Sequence, residues 1–196
     1  MPSLLYGSKL WVIKARESIE KVHIQVCKLF LNVPPHTPND MVYGELGRFP
    51  LYIQAAARCL QYWFRIRRQP LCRYSRKAYD LLYGLQERNS KAKTWVYHVK
   101  RLLCVKGFGY VWMYGEAGDE KRFLHIFKER LKGCFYQRWW THISNSERFD
   151  LYHCFKSTLQ YERDLGCMQS RIHKTSLSRF RLGMSRVICH SMAAYL

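Results

Sequence analysis

The sequence predicts an all-α fold, an irregular multi-helix domain. Three observations predict it. Apolar residues recur at intervals of three and four along most of the chain. The prolines fall between these runs, at Pro34, Pro35, Pro38, Pro50 and Pro70, where helices end. One stretch alone, "GFGYVWMYGEAGD", has the glycines and aromatics of a loop or a short β-ribbon, near 107–115.

Each element follows in order. Glu17 to Leu31 carries Ile19, Val22, Val26, Leu29 and Phe30 on one apolar face, with Glu20, Lys21, Gln25 and Lys28 opposite. "VPPHTP" stops that helix. "TPNDMVYGELGRFP" then reads as one short helix with both ends specified. Thr37 is placed to cap it, Pro38 suits its first position and Asp40 favours the positive end of its dipole. Gly47 is a natural stop and Pro50 begins the next element. Leu51 to Ile66 is apolar nearly all round, as a buried central helix would be, and ends in the basic tip "RIRRQP". Further helices are predicted over Tyr74–Leu85, Trp95–Lys106, Asp119–Ile143, Arg148–Leu159 and Arg171–Leu182.

Composition narrows the function. The chain has 196 residues, 33 Lys+Arg against 14 Asp+Glu, a net charge of +19, and is 48% hydrophobic and 15% aromatic. That is enough apolar material for a core and too much for a disordered tail. The charge favours a polyanionic partner, RNA or DNA foremost. No window reaches the roughly 20 apolar residues of a membrane-spanning helix. The N-terminus lacks the basic leader and cleavage site of a signal peptide, so an intracellular chain without membrane is expected. The eight cysteines are scattered without Cys-x-x-Cys spacing, and read as free buried thiols.

Chemistry finds little support. His23 and Cys27 have a usable metal-ligand spacing but no second pair, so no metal and no cofactor is expected. The aspartates Asp40, Asp80, Asp119, Asp150 and Asp164 stand far apart, whereas two-metal phosphoryl transfer needs neighbouring carboxylates. The glycine-rich stretch lacks the Lys-Ser/Thr of a P-loop. Basic and aromatic residues do interleave, in "CLQYWFRIRR", "CRYSRKAYD", "CFYQRWW" and "SRFRLGMSR", a mixture that pairs phosphates and stacks bases. Two clusters are candidate nucleic-acid contacts. Arg171, Lys174, Arg179 and Arg181 share an arc of about 160° on a helix. Ile172, Leu177 and Phe180 fall opposite, towards a core, while Leu182 lands among the basic residues. No carboxylate occurs from Leu165 to Leu196. The second cluster is Arg65, Arg67 and Arg68.

An ordered series of segments carries a resemblance. "SIEKVHIQVCKLFLNV", "TPNDMVYGELGRFPLYI", "RCLQYWFRI", "VKGFGYVW", "FKERLKGCFYQRWWTHISNSERFDLYHCFK" and "SLSRFRLGMSRV" resemble, in this order, the region after the reverse transcriptase domain of animal non-LTR retrotransposon polyproteins. "PSLLYGSKLW" is similar to the end of the polymerase domain. The resemblance implies that residues 1–14 are a remnant of the reverse transcriptase domain and 15–196 a helical thumb-and-linker region. It implies a role in holding template RNA and primer DNA beside a polymerase within the parent polyprotein. The polymerase motif with its paired aspartates and the family's zinc knuckle are absent from this sequence, so no catalytic residue carries over and no enzyme activity is expected. The alternative reading is a helical protein-interaction module, reused by a host, whose basic face meets an acidic protein.

Overall fold

The computed structural model describes residues 5–11, 16–89, 91–146, 149–161, 167 and 170–183. The fold is all-α. The described residues form ten helices and no strand: α1 (Ser8–Trp11), α2 (Arg16–Leu31), α3 (Asn39–Leu46), α4 (Leu51–Arg67), α5 (Tyr74–Arg88), α6 (Trp95–Val105), α7 (Gly109–Tyr114), α8 (Glu120–Ser144), α9 (Asp150–Phe155) and α10 (Arg171–Arg181). The chain divides into two compact units, one of Met1–Ile19 with Leu51–Gly133 and one of Glu20–Pro50 with Cys134–Leu196. Within the first unit α1 packs on α4.

The first unit is built on aromatic side chains. Trp63 of α4 stacks on Trp112 of α7 with centroids 5.5 Å apart, and Tyr83 of α5 also stacks with Trp112, at 6.1 Å. The indole of Trp63 donates to the Tyr79 hydroxyl at 3.3 Å, so this fully buried ring keeps its polar atom satisfied. Phe64, Phe108, Phe123 and Phe127 meet edge-on or tilted beneath. Two caps fix helix starts. Thr94 accepts from the Tyr97 amide at 3.2 Å, and Asp119 accepts from the Lys121 and Arg122 amides at 2.9 and 3.2 Å.

The stretch expected as a loop or ribbon near 107–115 is instead α7. Its side chains explain the difference. Val111 is fully buried and Trp112 stacks with both Trp63 and Tyr83, which fastens a short helix. Gly115 closes it in the left-handed conformation at φ 75°.

The second unit is organised around α3. Met41 through Leu46 are all buried, including Gly44 and Glu45. Their neighbours arrive from three directions. The Trp139 indole of α8 donates to the Asp40 carbonyl at 2.8 Å, and the Tyr152 hydroxyl of α9 donates to the Met41 carbonyl at 3.1 Å. The Tyr43 hydroxyl donates to Glu20 of α2 at 2.9 Å, and its ring meets Phe135 edge-on at 5.5 Å. A side chain at Gly44 would run into Tyr152 and Trp139. Gly47 ends the helix at φ 56°, with the Arg48 amide donating back to the Tyr43 carbonyl at 3.0 Å. The backbone of Gln160 and Tyr161 lies against it, so a Cβ there would come within 2.9 Å of the Gln160 Cα.

Three local expectations are corrected. Thr37 does not cap α3: its hydroxyl donates to the Pro34 carbonyl at 2.7 Å, and Pro38 holds the cap position. On α2 the packed face is His23, Ile24, Cys27 and Leu31, while Val22, Val26, Leu29 and Phe30 are exposed. On that face Glu20 accepts from the Tyr43 hydroxyl and stands 3.5 Å from His23, whose ring lies 5.9 Å from the Tyr43 ring. Among the described thiols only Cys27 and Cys59 are buried; Cys72, Cys104, Cys154 and Cys167 are exposed, and Cys189 lies outside the described residues. No helix among the described residues is long and apolar enough to cross a membrane.

Candidate nucleic-acid interface

Helix α4 is buried on all but one stripe. Ile53, Ala55, Ala56, Ala57, Cys59, Leu60, Trp63, Phe64 and Ile66 are inside. Gln54, Arg58, Gln61 and Arg65 are exposed, and Arg68 continues their line just past the helix end. At 100° per residue these five positions fall within about 80° of one another. The stripe was legible in the spacing 54, 58, 61, 65, 68, but Tyr52, Tyr62 and the alanines beside it make the helix read as apolar throughout.

Arg58, Gln61, Arg65 and Arg68 of this stripe form one wall of a groove of about 1420 Å³. A second wall is residues 5–10, and a third is the turn at 115–119 with the first turn of α8. Lys9, Arg58, Arg65, Arg67, Arg68 and Lys121 line it, against three carboxylates, Glu116, Asp119 and Glu120. Most of these charges are held in place. Arg68 pairs with Glu120 at 2.6 Å. Arg58 reaches the Leu5 carbonyl at 3.5 Å. The Arg67 guanidinium lies over the Trp63 ring, 5.2 Å from its centroid, beside Gly115, where any side chain would displace it. Lys9 sits over the Tyr62 ring at 4.4 Å. Arg65 and Lys121 are exposed, and among the described residues neither has an ion-pair partner. A fixed cationic wall with two uncommitted charges is able to take phosphate oxygens without first breaking ion pairs.

The other predicted cluster is arranged differently. On α10 it is Ser178 and Leu182 that are buried, and Ile172 and Phe180 that are exposed, so the helix is turned relative to the expectation. The cause is Glu45. This fully buried carboxylate of α3 stands 3.7 Å from Arg181, whose side chain is 13% exposed. Arg179 donates to the Asn32 carbonyl at 3.1 Å. Lys174 is half-buried, and the Arg171 side chain lies outside the described residues. The position of Leu182 among the basic residues was the signal that this side faces inward.

Two further constellations have structural accounts. Burial lowers the pKa of His23, but Cys27 and Glu20 beside it more than reverse this, raising it to about 9. His142 Nδ1 lies 2.5 Å from the Asp40 carboxylate, beside a smaller hollow lined by Arg138, Thr141, Asn145 and Ser146. That pair joins the last turn of α8 to the first turn of α3, where each side chain suits the local helix dipole. Burial pushes the Cys59 thiol up to about 12, which keeps it protonated. Among the described residues no three His, Cys, Asp or Glu side chains are grouped to hold a metal ion. No protein-family model, curated protein or solved structure matches this chain.

Proposed function

We propose that this chain is a non-catalytic segment of a non-LTR retrotransposon reverse transcriptase that binds RNA or DNA through the groove along α4. The ordered sequence segments support the family origin. The observation that carries the binding role is the stripe Arg58, Arg65 and Arg68, which opens onto a groove with three more cations. The experiment is titration of a labelled single strand at several salt concentrations. Arg65→Gln with Lys121→Gln, two exposed substitutions, is expected to weaken binding to every sequence alike and to leave folding intact. It should also lower the slope of log affinity against log salt by about 1.4 for a single strand, at roughly 0.7 per phosphate contact. Wild-type affinity and slope in that variant would remove the reading.

The second reading, a protein-interaction module, is favoured by one observation: the exposed Val22, Val26, Leu29 and Phe30 form an apolar line on α2. It stands if the groove variant binds nucleic acid like the wild type.

A further inference from the structure

We infer that the groove takes a single strand, not a duplex, and that Tyr6 stacks a base. The inference rests on the nucleic-acid reading of the groove and adds the form of the ligand. Tyr6 lines the groove and is 87% exposed. It belongs to the wall formed by residues 5–10, whereas the arginines project from α4. Arg58 and Arg65 are separated by about 10 Å along that helix. A strand whose phosphates meet these arginines can turn unpaired bases towards the wall that carries Tyr6. Bases inside a duplex are already stacked on their neighbours and have no open face to offer Tyr6, whereas unpaired bases do. A cationic track beside an exposed ring is the arrangement that holds unpaired strands with little sequence preference.

The test compares three probes by fluorescence anisotropy: a single strand of about fifteen nucleotides, an abasic phosphodiester strand of the same length, and a matched duplex. Tyr6→Ala is expected to lower affinity for the base-bearing strand about tenfold, the loss of one stacked base. Affinity for the abasic strand and the duplex, and the salt slope on all three, should stay at wild-type values. Tyr6→Phe keeps the ring and should bind like the wild type. Unchanged single-strand affinity in Tyr6→Ala, or an equal loss on the abasic strand, would overturn the stacking role. Wild-type preference for the duplex over the single strand would overturn the choice of ligand. The Arg65→Gln, Lys121→Gln variant reports separately on the groove, since its salt slope changes whatever Tyr6 does.

Discussion

Helices α4 and α10 carry similar numbers of arginines and put them to opposite uses. On α4 Arg58 and Arg65 occupy the single exposed stripe of a helix otherwise sealed in aromatic packing, while Arg67 lies over the Trp63 ring. On α10 Arg181 turns in towards a buried carboxylate, and the apolar Ile172 and Phe180 are left outside. What separates them is the residue opposite: α4 faces an open groove, and α10 faces Glu45. Local charge density therefore says less about a binding face than the burial of the residues between the charges.

The contrast is broken most severely at Arg181. Arg181→Gln removes the guanidinium 3.7 Å from the buried Glu45 carboxylate, and should cost about 3 kcal/mol of stability. Chemical denaturation would record this as a lower midpoint. A midpoint within error of wild type would mean that Arg181 is a surface residue after all. Next in size is Gly47→Val, which places a β-branched residue at φ 56° against the Gln160 backbone. It should cost roughly 2 kcal/mol or more. Arg65→Gln, at an exposed position on α4, should shift the same midpoint by less than about 0.5 kcal/mol.

The pH dependence sharpens the account of the second unit. His23 has its pKa raised from 6.5 to about 9 in the folded chain. Between those values the folded state holds a proton that the unfolded state has released, so stability falls as pH rises. The contribution is complete below pH 6.5 and gone above about 9. His23→Gln should flatten that part of the stability profile. An identical slope in the variant would place the titrating group elsewhere.

Helix positions were legible in the sequence because period, prolines and Gly47 are local signals. The faces were not. On α2, Val22 and Leu29 have the hydrophobicity of core residues, yet His23 and Cys27 are inside because Glu20 and Tyr43 meet them there. On α10 the decisive partner, Glu45, lies on another helix. On α7 the glycines read as a loop, and only Trp63 and Tyr83, stacked on Trp112, account for the turn of helix. The basic tip Arg65, Arg67 and Arg68 was visible, but its extension to Arg58, Lys9 and Lys121 depends on segments brought together by the fold.

The most direct test of the groove is the salt dependence of single-strand binding in two matched double variants. One is Arg65→Gln with Lys121→Gln in the groove, and the other is Lys174→Gln with Arg179→Gln on α10. Both remove two positive charges, so a purely nonspecific attraction would treat them alike. A binding face in the groove requires the slope to fall by about 1.4 in the first and to stay at the wild-type value in the second. Equal slopes in the two variants, or a larger fall in the second, would contradict it.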